Sequence, residues 1–231
     1  MGGLAEDEGA FSEQRSRMVE RDLRRRGIRD ARVLETMGRV PRHLFVSPSL
    51  AGSAYADAPL PTAEGQTISQ PYIVALMTEA LALSGGEKVL ELGTGSGYQT
   101  AVLTCLGADV WSIERSRMLW EAARARLSAL GFPSVHLILG DGTAGLAAEA
   151  PFDRVLATGS LPGVPPWLTD QLRPRGVFVG PIGGLYDQRL VRMEYDPPHM
   201  RERVLCACRF VPLVGAAGWP EGSAPCSEVE A

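Results

Sequence analysis

The chain has 231 residues, 45% hydrophobic and 22% charged, the size and balance of a globular domain that can bury a core without disulfide or metal staples. Its 23 basic residues against 27 acidic ones leave a formal charge of −4, which argues against a partner gripped through its phosphates, so nucleic acid is set aside. The cysteines, at 105, 206, 208 and 226, form no CxxC pair and stand far from His43, His136 and His199, a spacing that offers no metal site.

In chain order, the opening MGGLAEDEGAF lacks the basic and apolar stretches of a secretory leader, and no later window holds about 18 consecutive apolar residues. A cytoplasmic protein with free thiols and no membrane partner is therefore expected. Residues 11–39 mix apolar positions (Phe11, Met18, Val19, Leu23, Ile28, Val33, Leu34, Met37) with many charges and are interrupted by Gly27, which predicts two amphipathic helices. The arginines between 15 and 29 alternate with Glu20 and Asp22 and are flanked by Glu13 and Asp30, the pattern of a solvated helix face. Prolines at 41, 48, 59 and 61 make 40–69 an ordered loop region.

From residue 70 helix and strand patterns alternate: helix 71–83, strand 88–92, helix 98–106, strand 109–113, helix 115–130, strands 135–139 and 153–157, a short helix 165–172 and strand 176–181. Two more strands, near 190–195 and 203–211, have no helix between them and are expected to form an antiparallel hairpin. The fold class is thus α/β: a Rossmann-like doubly wound sheet of about seven strands, mostly parallel, with an antiparallel C-terminal edge and N-terminal helices. Residues 1–69 are expected to cover the core as part of the same folding unit. Residues 70–215 would form that core, and 216–231, poor in aliphatics, a disordered tail.

The most informative segment is VLELGTGSGY (89–98), an apolar strand running through Gly93, Gly95 and Gly97 straight into a helix. Glycines there let the backbone turn tightly and approach a ligand, while free N–H groups at the helix start face it. In a dinucleotide fingerprint the third glycine would fall on Tyr98; the spacing GxGxG, with Glu91 before it and Thr94 and Ser96 between the glycines, resembles the first motif of S-adenosylmethionine-dependent methyltransferases. Glu114, beside Arg115, ends the second strand where a carboxylate can take both ribose hydroxyls. Asp141 and Gly142 end the third, where an adenine would lie. Taken singly, each acid is more often a cap or turn residue; together, at consecutive strand ends, they point to a bound nucleoside.

Longer motifs resemble one family. VPRHLFV (40–46), AYAD (54–57), PLP (59–61) and above all GQTISQPY (65–72), followed by ELGTGSGYQTAVL (91–103), SIER (112–115), GDG (140–142), PFD (151–153) and FVPL (210–213), look like protein-L-isoaspartate O-methyltransferases over roughly residues 12–214. The resemblance implies methyl transfer from S-adenosylmethionine to the free carboxylate of L-isoaspartyl residues in damaged proteins or peptides, the ester then closing to a succinimide. It implies Ser69 as the catalytic residue. It implies Thr67, Ile68 and Ser69, with Ala157, Thr158 and Gly159, at the substrate. Cofactor contacts would come from Gln66, Ser69 and Gln70 and from Glu91, Gly93, Thr94, Gly95, Ser96, Gly97, Glu114, Arg115, Asp141 and Gly142.

The chain departs from the family's usual pattern in ATGSLP (157–162), in PIGGLYDQ (181–188) and in PLPTAEG (59–65), where Glu64 adds negative charge. The first departure touches the substrate side and keeps open a relative that methylates an ordinary aspartate in one ribosomal peptide; a NAD-dependent oxidoreductase is the reading from another class. A carboxylate is ionised at neutral pH, so its methylation needs no general base, and His43 is expected to be packed or solvated instead. Ser69, before Gln70 and Pro71, also fits a helix cap. A monomer is expected.

Overall fold

The computed structural model describes residues 2–132 and 134–223. Helix α1 (Gly2–Arg17) continues into a π-helical stretch (Met18–Arg24) and stops at Gly27, whose φ of 106° belongs to the left-handed region that favours glycine. Asp30 caps α2 (Ala31–Arg39) by accepting the amides of Arg32 and Val33. The two expected helices are present, with the break at the expected residue. Short 3-10 turns follow, then a ribbon of two antiparallel strands, β1 (Leu60–Pro61) and β2 (Thr67–Ile68), within the proline-rich segment. Pro71 opens α3 (Pro71–Leu81), the first-turn position where its missing amide proton costs nothing.

The main sheet comprises β3 (Lys88–Leu92), β4 (Asp109–Glu114), β5 (His136–Leu139), β6 (Phe152–Ala157), β7 (Leu172–Gly183), β8 (Gln188–Asp196) and β9 (His199–Cys208) in the order β5-β4-β3-β6-β7-β8-β9. Pairings from β5 to β7 are parallel, and β7-β8 and β8-β9 are antiparallel. Helices α4 (Tyr98–Cys105) and α5 (Arg117–Ala129) make the crossovers on one side. The short helix α6 (Leu168–Gln171) is smaller than 165–172: it begins only at Leu168, after a turn at 166–167, and it ends where β7 starts at Leu172, ahead of Pro174, which favours extended backbone at Arg173.

Alternate strand residues feed two buried clusters. Val89, Val110, Val177 and Leu190 join the N-terminal helices, α3 and α4, while Leu90, Ile113, Phe178 and Val191 pack on the other face. Met18, Leu23, Val33 and Met37 from the N-terminal helices thus share a core with the sheet. Chain order reverses between β3 and β6, and the crevice at the carboxyl ends of those strands is where open α/β sheets bind ligands. One expectation fails in part: residues 216–223, assigned to a disordered tail, pack back on the core. The amides of Ala216 and Ala217 donate to Asp141 and Thr143, and Trp219 exchanges backbone hydrogen bonds with Leu213 and Gly215. Residues 224–231 lie outside the described residues.

Candidate active site

At that crevice the chain leaves β3 through Gly93 and Gly95, both at positive φ. A Cβ on Gly93 would lie 2.6 Å from the Thr158 hydroxyl, so only glycine lets the loop pass beneath β6's end. Thr158 completes this junction by donating to the carbonyls of Leu92 and Gly93 at 2.9 and 2.5 Å.

Beside the loop lies a cleft of about 820 Å³, within the size of small-ligand sites. Gly93, Gly95, Ile113 and Glu114 form one part of its wall, residues 115–119 at the start of α5 another, and Gly142, Thr143, Thr158, Gly159 and residues 211–214 the rest; Glu64, Gln66 and Thr67 approach from the ribbon. A smaller pocket of about 50 Å³ adjoins it, lined by Thr67, Ile68, Ser69 and residues 93–96 together with Tyr98, Gln99 and Thr158. Thr67, Gly93, Gly95 and Thr158 belong to both, so a ligand in the cleft and a group beside Ser69 would meet there.

Glu114 is buried at 8% exposure and accepts the amides of Gly95 (2.8 Å) and Ser116 (2.9 Å), so its carboxylate is fixed between the glycine loop and the start of α5. Ser116 caps α5 and its hydroxyl also reaches Glu64 across the cleft. Arg115 lines the cleft and pairs with Glu221. The Ser69 hydroxyl has no hydrogen-bond partner among the described residues, and it does not cap α3: the Tyr72 amide donates to Asp57 instead, at 3.2 Å. Ser69 is therefore left available to a ligand.

Five expected contacts, Glu91, Asp141, Gln70, Ala157 and Gly97, line neither pocket. Glu91 is fully buried beneath the loop, accepting the hydroxyls of Thr100 (2.6 Å) and Ser112 (2.7 Å) on Oε2, while Oε1 has no partner. Burial pushes its carboxyl up to about 7, against the two hydroxyl donors. The Asp141 carboxylate turns from the cleft to the Thr143 amide and hydroxyl and the Ala216 amide, at 2.9, 2.7 and 2.7 Å. Desolvation would raise its carboxyl, yet these donors hold it below the usual range; Gly142 and Thr143 face the cleft in its place. Gln70 spends its amide nitrogen on the Asp57 carbonyl and carboxylate, at 2.9 and 2.8 Å. Ala157 is fully buried in the apolar cluster behind Thr158.

Thr94 lines the smaller pocket, although its hydroxyl pairs with Ser112 at 2.6 Å. Gly97 is the left-handed cap of α4, packed against Leu127. His43 is a packed histidine, its Nδ1 2.7 Å from the Tyr55 hydroxyl and its ring stacked on Phe11. Sequence reasoning gave no role to Asp57, Ser116, Thr143 or residues 211–214, although AYAD and FVPL already marked two of these places.

The donor set fits S-adenosylmethionine: a glycine cradle that side chains would fill, a fixed carboxylate at the second strand's end, and a cleft large enough for a nucleoside. Among the described residues no helix is long and apolar enough to cross a membrane. A profile described as protein-L-isoaspartate(D-aspartate) O-methyltransferase matches residues 13–218. Proteins named protein-L-isoaspartate O-methyltransferase from Syntrophus aciditrophicus and Geobacter metallireducens are each 51% identical, over 212 and 211 residues, covering 90% of this chain and 97% of theirs. A solved protein-L-isoaspartate O-methyltransferase superposes with a TM-score of 0.79 at 28% identity, over 88% of this chain and 66% of its own length. A Plasmodium falciparum protein assigned to the same class and solved with S-adenosyl-L-homocysteine gives 0.75 at 25% identity, over 87% of this chain and 98% of its own.

Proposed function

Because the chain belongs to the protein-L-isoaspartate(D-aspartate) O-methyltransferase family, we propose that it methylates the free carboxylate of L-isoaspartyl residues in proteins and peptides, using S-adenosylmethionine. The observation that carries this reading is the pair of adjoining pockets, one of nucleoside size and one beside an unengaged Ser69, meeting at Gly93 and Thr158. S-adenosylmethionine supplies an electrophilic methyl group on a sulfonium.

The protein's part is alignment. Glu114, held by Gly95 and Ser116, offers its carboxylate to ribose hydroxyls. Ser69 donates its hydroxyl to the substrate carboxylate and turns one oxygen toward the junction. Buried Ile68 and Tyr98 beside it exclude water that would solvate the nucleophile. No proton has to be removed, because the carboxyl group is ionised at neutral pH. Glu91, Asp141 and Gln70 support the loop, the C-terminal segment and the ribbon from outside the cleft.

The oxidoreductase reading is opposed by Tyr98 at the third glycine position. A dedicated peptide aspartate methyltransferase is not favoured, since relatives at 51% identity carry the isoaspartate name. Work as a cytoplasmic monomer without a nucleic-acid partner belongs to the same proposal; the three described cysteines, all free thiols, and the −4 charge support it. The test is methyl transfer from labelled S-adenosylmethionine to matched isoaspartyl and aspartyl peptides. Label on the isoaspartyl peptide is expected, and label on the aspartyl peptide alone would overturn the reading.

A further inference from the structure

Ser69 sits between a two-residue strand and the first turn of α3, and its own side chain holds nothing, so its position must be set by neighbours. Those neighbours converge on Asp57. The Gln70 amide donates to the Asp57 carbonyl and to Oδ2, and the Tyr72 amide donates to Oδ1. Asp57 thereby caps α3 from another segment, where the helix's own cap residue, Gln70, offers no side-chain cap. The Arg26 guanidinium pairs with Oδ2 and lies 3.7 Å from the centre of the Tyr72 ring. With its side chain only 16% exposed, the Asp57 carboxylate has both oxygens engaged by donors from three residues.

We propose that Asp57 is a positioning residue for the methyl transfer: anchored by Arg26, it clamps Gln70 and Tyr72 so that the Ser69 hydroxyl stays at the junction of the two pockets. The proposal rests on the role given above to Ser69. Asparagine at 57 keeps one acceptor but presents an amide to the donors of Gln70 and Arg26, which lets the turn relax. A shift of one ångström is enough to misalign an in-line transfer. Since Asp57 lies outside both pockets, cofactor affinity is not expected to follow.

The experiment compares D57N, S69A, the double variant D57N/S69A and Q70A with the wild type. It measures kcat and KM on an isoaspartyl peptide, S-adenosylhomocysteine affinity by calorimetry, and melting temperature. D57N is expected to lose at least tenfold in kcat, with S-adenosylhomocysteine affinity within twofold, and to lose nothing further on the S69A background. Q70A, which removes one arm of the clamp, is expected to show a smaller loss of the same kind and keeps the test open if D57N does not fold. A lowered melting temperature with wild-type kcat in the folded fraction would overturn the proposal. So would an equal loss caused by D57N with and without Ser69. Wild-type turnover by S69A would instead remove the role of Ser69 itself, a separate outcome that is read from that variant alone.

Discussion

Replacing Glu91 with glutamine is expected to change how stability depends on pH. Glu91 has an ordinary carboxyl value of 4.5 in the unfolded chain and about 7 in the fold, raised first by burial, with the Glu114 charge adding to it. Below pH 4.5 both states hold the proton and the group is neutral in its effect. As pH rises toward 7 the unfolded chain releases its proton first, so unfolding gains ground; above 7 the folded carboxylate is ionised too and the penalty stays constant. Moving a carboxyl that far corresponds to about 3 kcal/mol. Glutamine can accept the hydroxyls of Thr100 and Ser112 on its carbonyl oxygen, while its amide nitrogen occupies the partnerless position of Oε1, at a cost of about 1 to 3 kcal/mol that does not vary with pH. Urea unfolding of both proteins from pH 5 to 8.5 therefore gives a difference that moves in favour of E91Q as pH rises, by roughly 3 kcal/mol across the full titration. A difference constant to within about 0.5 kcal/mol would refute the reasoning and show that Glu91 is ionised in the fold throughout this range.

Three further outcomes follow from the same geometry. Glu114→Ala removes the acceptor of the Gly95 and Ser116 amides and is expected to weaken S-adenosylhomocysteine binding by about 1.5 to 3 kcal/mol; unchanged affinity by calorimetry would take Glu114 out of the site. Gly93→Ala places a methyl 2.6 Å from the Thr158 hydroxyl at a φ of 92° and is expected to abolish cofactor binding while lowering the melting temperature, so wild-type affinity would refute the close approach. Asp141→Ala frees the Ala216 amide and the Thr143 hydroxyl, and limited proteolysis is expected to cut after residue 208 faster than in the wild type. In the wild type this restraint persists above the ordinary carboxylate value and fails only as pH falls through the lowered one.

The sheet was readable because buried parallel strands carry mostly apolar runs: β3 starts and ends where the pattern KVLEL does, with Val89, Leu90 and Leu92 apolar and Glu91 the buried exception. The glycine loop was readable for a related reason, since its backbone conformation restricts the residue type. Side-chain direction left no such trace. Glu91, Asp141 and Gln70 stand at the right strand or loop ends, yet their partners Ser112, Ala216 and Asp57 are far away in sequence, and those partners decide whether a polar group faces the cleft. Composition misjudged residues 216–223 because their order comes from backbone hydrogen bonds to Asp141, Thr143 and Leu213 and not from apolar side chains.

The C-terminal segment also gives synthesis a direction. All seven strands of the sheet are in the chain by Cys208, while residues 211–214 supply one wall of the cleft and residues 215–219 pin that wall to the turn after β5. A nascent or clipped chain ending near residue 210 would hold a finished sheet and an open cofactor site. Such a chain is expected to bind S-adenosylhomocysteine more weakly than one that carries the wall, so nucleoside affinity would distinguish molecules folded through residue 219 from those cut before it.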